Sequence, residues 1–317
     1  MYYIGIDLGG TKIAAGIVDE NGKIIKKDSM PTGRTRKSEE IVNDICTLIK
    51  KLLNDTNLSD NDIYSVGIGS PGSLDRDKGI IIANFNLSFK YVAIRDAIQK
   101  VISVPVYVEN DANCAAIAES VAGVAKGVDY AVLITIGTGI GGGIIINNKL
   151  YIGSNGAGAE LGHVVIDLNG EACTCGRKGC WEAYSSATAL IRQTKDAAAK
   201  NPSSKLLELV DGDLEKINAK TAFDAAKLGD VTAINVVDCY IDMLVEGLAN
   251  MVNIFQPDVI AIGGGVSKEG ENLLTPLREK MKGRTFFIGD LKSTKIVAAE
   301  LGNDAGIVGA ALISKRV

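Results

Sequence analysis

Apolar residues fall into two kinds of pattern along this chain: short continuous runs, and spacings of three and four. Tyr2–Asp7 is a continuous run that stops at Leu8-Gly9-Gly10-Thr11-Lys12, and Ile13–Val18 is a second. Two such runs joined by a glycine-rich turn predict a hairpin. From Ser38 to Leu53 the apolar positions Ile41, Ile45, Leu48, Ile49 and Leu52 keep helical spacing, with Ser38 placed to cap the helix. Strands are expected again at Val66–Ser70, Val104–Val108, Tyr130–Ile136, Ile144–Ile146 and Val259–Ile262. Helices are expected at Ala112–Val121, Asp230–Phe255 and Ala305–Ser314, with Pro257 stopping the longest. Strands alternating with helices mean an α/β protein. The string Ile4–Thr11 has a weak echo in Val132–Gly139, each a strand running into a glycine-rich loop. That repeat suggests two related domains facing each other across a cleft. The expected division is 1–115 with 302–317 as a smaller N-terminal α/β domain, and 116–301 as a larger one.

Composition removes several classes. Lys plus Arg is 34 against 38 Asp plus Glu, a net charge of −4, which argues against a nucleic-acid partner. No apolar run approaches the ~18 residues of a membrane span. The N-terminus lacks the basic start of a signal peptide. A cytoplasmic protein with no membrane partner is expected, and its six cysteines should then be unpaired. Cys46, Cys114 and Cys239 fall in expected helices and read as core residues.

Glycine loops expose backbone N–H groups that can surround phosphate oxygens. Gly9, Gly10 and Thr11 offer such donors beside the charge of Lys12, and Gly137, Thr138 and Gly139 offer them again. One such turn is ordinarily just a turn; two at matched places suggest a phosphate clamp. No G-x-x-x-x-G-K-[ST] string occurs, which excludes a P-loop. Gly137-x-Gly139-x-x-Gly142 matches a dinucleotide fingerprint, but that motif needs a following helix, and Ile144–Asn148 reads as strand and turn. A third loop, Gly263-Gly264-Gly265, is either a close approach for a flat base or a plain strand-to-helix turn.

His163 with Cys173, Cys175 and Cys180 makes the Cys₃His set of structural zinc, and Gly176 and Gly179 let the chain wrap a small ion. Asp111, at the end of an expected strand, reads by itself first as the cap of the next helix, with a base for a hydroxyl as the alternative. Asn84, Asn110, Glu160, His163 and Glu182 suit a ligand with many hydroxyls, with surface solvation the alternative for Glu182.

Taken together, Asp7–Lys12, Glu109–Asn113, Thr138–Gly143, Glu160–His163, the Cys173–Cys180 cluster with Trp181-Glu182, and Gly263–Ser267 resemble the ROK family of bacterial sugar kinases and repressors, nearest its ATP-dependent glucokinases. The resemblance implies the actin-like, hexokinase-like (ribonuclease H-like) two-domain fold with a central cleft. It implies that Asp111 is the general base on the sugar 6-hydroxyl. Asn84, Asn110, Glu160, His163 and Glu182 would contact the other hydroxyls, with Gly72 nearby. His163 would serve zinc through one ring nitrogen and sugar through the other. Gly9, Gly10, Thr11, Lys12, Thr138 and Gly139 would approach the phosphates of ATP. Asp7 would help hold Mg²⁺, and Gly264 and Gly265 would flank adenosine. The implied reaction is glucose to glucose 6-phosphate, in a homodimer or homotetramer. Fructose, N-acetylmannosamine or mannose as substrate, a sugar-sensing protein without catalysis, and a nicotinamide dehydrogenase are the competing readings. Because the Asp7 loop begins the chain, a DNA-binding helix-turn-helix, as in the family's repressors, is not expected.

Overall fold

The computed structural model describes residues 1–84, 87–286 and 291–317. The chain opens as a hairpin. β1 (Tyr2–Leu8) pairs antiparallel with β2 (Lys12–Asp19), Leu8 opposite Ile13, so Gly9–Thr11 forms the turn. Then come β3 (Ile24–Pro31), α1 (Ser38–Thr56), β4 (Ile63–Gly69), β5 (Ser73–Asp75), β6 (Ile80–Asn84), β7 (Phe89–Val92), α2 (Ile94–Gln99), β8 (Val106–Glu109) and α3 (Asp111–Ala122). A second hairpin, β9 (Ala131–Ile136) and β10 (Ile140–Ile146), continues into β11 (Lys149–Tyr151). The helices α4 (Glu182–Ser185), α5 (Ala187–Lys200), α6 (Lys205–Glu208), α7 (Thr221–Lys227) and α8 (Val231–Phe255) follow, then β12 (Val259–Gly264), α9 (Glu271–Met281), β13 (Lys295–Ala298) and α10 (Ala305–Ala311). The strands form sheets of order β3-β2-β1-β4-β8, β11-β10-β9-β12-β13 and β5-β6-β7.

Contacts divide the chain into two units. One holds Met1–Leu133, Gly143–Ala159 and Glu300–Val317; the other holds Ile134–Gly142 and Glu160–Ala299. The expected break at 115 differs from this division because α3 is locked to α10: Gly309 packs so closely on α3 that a Cβ there would lie 1.6 Å from the Cys114 carbonyl oxygen.

In the first unit, Ile4, Ile6 and Leu8 of β1 and Val66 and Ile68 of β4 pack in one buried cluster with Ile41, Ile45 and Leu48 of α1. α10 lies on β1 and β4 with nothing between the backbones. A Cβ on Gly5 would fall 1.9 Å from the Ile307 carbonyl oxygen, and one on Gly67 would fall 1.8 Å from that of Ala310. The small residues of α10 are there to permit this approach, and the helix ends at Ala311, before the Ser314 expected, passing into a short 3₁₀ turn at Ile313–Lys315. Ser38 lies inside α1 rather than capping it. Lys37 is the boundary, and its N–H donates to the Glu40 carboxylate at 3.2 Å.

In the second unit α8 begins one residue later than expected, because Asp230 caps it, its carboxylate accepting the Ala233 N–H at 2.8 Å. It stops at Gln256 in a left-handed conformation just before Pro257. Trp181 is fully buried against it, donating from Nε1 to the Met243 carbonyl at 3.1 Å. Cys114 is buried and Cys46 half-buried, but Cys239 is exposed, because it shares the outer face of α8 with Asn235 and Asp238. Among the described residues no helix is long and apolar enough to cross a membrane.

Candidate active site

In the first unit the site forms where β1, β4 and β8 end. Glu109, the last residue of β8, is fully buried and ion-paired to Arg76, whose Nε donates to it at 2.7 Å. The same carboxylate accepts the Asn110 N–H at 2.7 Å and the Asn113 side-chain amide at 2.9 Å, which fixes the entry into α3. Asn110, not Asp111, caps that helix: its Oδ1 accepts from Ala112 N–H at 2.9 Å and Asn113 N–H at 3.2 Å. Asp111 is thereby released from the capping role, its carboxylate accepting the neighbouring backbone N–H of Ala112 at 2.9 Å. Its side chain reaches solvent, yet the surrounding protein raises its pKa by desolvation, with backbone hydrogen bonds pulling the other way.

Burial and the charge of Asp111 push the Asp7 carboxyl up to about 6, opposed by Lys12. Two carboxylates that repel in this way favour a cation between them. Asn84 donates to Ser70 Oγ at 3.2 Å, and the Ser70 N–H donates to the Glu109 carbonyl at 2.9 Å. Gly72 lies against the same strand end, where a Cβ would meet the Ala83 carbonyl oxygen at 2.0 Å. Gly72, Asn84, Asn110, Asp111 and Asp7 thus lie at one end of this unit. Gly9–Lys12 forms the β1–β2 turn beside Asp7, closed by Gly9 N–H on the Lys12 carbonyl at 3.0 Å.

The second unit gathers its own candidate residues around the start of β10. Glu182 Oε2 accepts the Ile140 N–H at 2.9 Å, while its Oε1 accepts from Thr174 Oγ1 at 3.4 Å. The Glu160–His163 turn packs on the same point: a Cβ on Gly162 would lie 2.4 Å from the Ile140 carbonyl oxygen. Gly264 closes on the end of β9, its Cα so near Ile136 that a Cβ would lie 2.3 Å from that carbonyl, with Gly265 exposed beside it. Thr138, Gly139, Glu160, His163, Glu182, Gly264 and Gly265 therefore share one region of this unit. The Gly137–Gly142 string runs into strand β10, not a helix, as the dinucleotide fingerprint would require.

The ligand atoms of His163, Cys173, Cys175 and Cys180 all lie within 4.8 Å of one another. His163 Nδ1 is 3.6 Å from Cys173 Sγ, and Cys175 Sγ is 3.6 Å from Cys180 Sγ. The edges of a tetrahedron around zinc measure about 3.5–3.8 Å, so the set fits such an ion. Burial and the neighbouring thiols Cys175 and Cys173 push Cys180 up to about 12, an environment that a bound cation would relieve. Gly179 is required for the wrap, since a Cβ there would lie 1.5 Å from the Asp167 carbonyl oxygen.

This arrangement, read with the motifs that carry it, corresponds to a family match over residues 3–317, described as the ROK family. The chain belongs to the ROK family. It is 41% identical to a glucokinase of Thermotoga maritima, over 99% of this chain and 97% of that protein. A crystal structure of a ROK family glucokinase from Streptomyces griseus, in complex with glucose and AMPPNP, is 38% identical and covers 98% of each chain at a TM-score of 0.80. A ROK hexokinase from Thermus thermophilus is 32% identical, covers 99% of this chain and 97% of its own, and superposes with a TM-score of 0.81. With these ROK proteins the chain shares the two-domain actin-like, hexokinase-like fold.

Sequence reasoning missed some residues that hold these candidate groups in place. The Arg76–Glu109 pair joins positions far apart in sequence, and Arg76 Nη1 also donates to the Gly156 carbonyl at 2.7 Å, tying down the loop that leads to Glu160. The one available signal was an acid, Glu109, in a strand of buried residues, which demands a cationic partner. Thr32 and Thr188, which hold the two glycine loops, gave no signal at all.

Proposed function

We infer that this protein transfers the γ-phosphoryl group of ATP to the 6-hydroxyl of glucose. The observation that carries this is the freed carboxylate of Asp111, set beside Asp7 at the end of β1, with the Gly9–Lys12 turn following directly. In this reading Asp111 accepts the hydroxyl proton as the oxygen attacks phosphorus in line, and its raised pKa makes it the stronger base. Asn84 and Asn110, with Glu160, His163 and Glu182, bind and orient the hydroxyls, with Gly72 nearby. Backbone N–H groups of Gly10–Lys12 and of Thr138–Gly139 receive the phosphates, and Gly264 and Gly265 flank the adenosine. Asp7 would hold Mg²⁺, which neutralises phosphate charge when bound. His163, Cys173, Cys175 and Cys180 would hold a structural Zn²⁺ that fixes the loop before Glu182. The family resemblance supports a cytoplasmic homodimer or homotetramer.

Steady-state ATP consumption across a panel of hexoses tests the reading. Glucose is the expected best acceptor, with fructose, mannose and N-acetylmannosamine poorer. Asp111→Ala lowers turnover by at least ~10² while glucose binding stays measurable. Near-normal turnover in that variant removes Asp111 from the base role, and no sugar-dependent ADP release would leave a binding protein.

A further inference from the structure

The two glycine loops are held in the same unusual way, by their carbonyls. In the second, the Ala187 N–H donates to the Gly137 carbonyl at 2.9 Å, and Thr188 Oγ1 donates to the Thr138 carbonyl at 2.7 Å. In the first, Thr32 Oγ1 donates to the Gly9 carbonyl at 2.7 Å, Arg34 Nε to that of Gly10 at 3.1 Å, and Thr32 N–H to that of Thr11 at 3.0 Å. Neither hydroxyl belongs to its loop: Thr188 is 50 residues from Thr138, and Thr32 is 23 from Gly9. These are tertiary ties rather than local turn chemistry.

Geometry turns the ties into a function. In a trans peptide the C=O of one residue and the N–H of the next lie in one plane and point in opposite directions. Drawing back the Gly137 and Thr138 carbonyls therefore aims the Thr138 and Gly139 N–H groups the other way. Drawing back those of Gly9, Gly10 and Thr11 does the same for Gly10, Thr11 and Lys12. The third plane of the second loop is fixed as well, since Ile140 N–H is held by Glu182. Glycine-rich backbone without such ties would populate many orientations, and an anion cradle works only when its donors are aimed in advance.

We propose that Thr32 and Thr188 are positioning residues for the donor phosphates, each aiming the N–H groups of one loop by a hydroxyl on its carbonyl. This rests on the reading of those loops as the phosphate cradle. Thr188 is exposed and Thr32 fully buried, so Thr188→Val should fold even if Thr32→Val does not.

The test is kinetics with glucose saturating and ATP varied, on Thr188→Val, Thr32→Val, Thr188→Ser and a control, Thr138→Pro, which removes one of the loop's own N–H donors, alongside melting temperatures. Each valine variant raises KM for ATP about three- to tenfold, the range expected for one lost hydrogen bond, with KM for glucose unchanged. Thr188→Ser restores the wild-type value. A Thr188→Val enzyme with unaltered KM for ATP, whether or not its melting temperature falls, overturns the inference if Thr138→Pro raises that KM. Unaltered values in Thr138→Pro as well overturn the phosphate reading of the loop, and the inference with it.

Discussion

Asp7 carries a charge that the fold disfavours. Its pKa rises from 3.8 to about 6 through burial and the neighbouring Asp111. Below the unfolded value both states are protonated and the residue costs nothing. As pH climbs through the window from 3.8 to about 6 the unfolded chain ionises first, so stability is lost, and above the window the loss is complete. In Mg²⁺-free buffer, Asp7→Asn should therefore melt above wild type at pH 7.5, with the gain shrinking as pH falls through that window, while phosphoryl transfer drops. A variant melting at or below wild type at pH 7.5 sinks this account. Such a residue is legible in sequence as an acid ending an apolar strand, but its partner is not. Asn110-Asp111 shows the same limit: either residue can cap a helix, and only the backbone direction at Ala112 and Asn113 assigned that task to Asn110. Thr32 and Thr188 look like any surface or strand-end threonine until the loops they hold are in view.

Elements were more legible than contacts between elements. The continuous apolar runs became β1, β2, β4, β8, β9 and β12, and the spaced ones became α1 and α8, because those patterns follow from which face is buried. Their ends depended on weaker forces. Glu40 rather than Ser38 serves the start of α1, and α10 stops early. The composition of α10 announced a helix but not its purpose, since Gly5 and Gly67 sit far away in sequence. Their missing Cβ atoms let α10 rest directly on β1 and β4. Gly67→Val would drive a side chain into the Ala310 carbonyl, 1.8 Å from the ideal Cβ position, where the neighbour is backbone that cannot step aside. It should lower stability by at least about 1–3 kcal/mol, read as a shift in the urea midpoint. An unshifted midpoint means α10 does not pack there.

At the scale of the whole chain, the repeated strand–loop–strand strings are local in sequence, whereas the contacts that divide the chain depend on which helix a strand packs against. The division places the candidate zinc ligands in one unit. The buried cluster from Ile4 to Val108 lies wholly in the first, while His163, Cys173, Cys175 and Cys180 all lie in the second. There Cys180 immediately precedes Trp181, whose fully buried ring is anchored on α8 through Met243. Removing a zinc held by this proposed ligand set would free three thiols and an imidazole that lie within 4.8 Å of one another and loosen the seat of that ring. The purified protein should carry about one zinc per chain. Calorimetry after chelation, or of Cys180→Ser, should show a low-temperature transition from the second unit, with the first unit's transition left in place. Chelation that removes zinc without moving any transition would deny the ion a structural role. A shift of all unfolding together would show instead that the two units stand or fall as one.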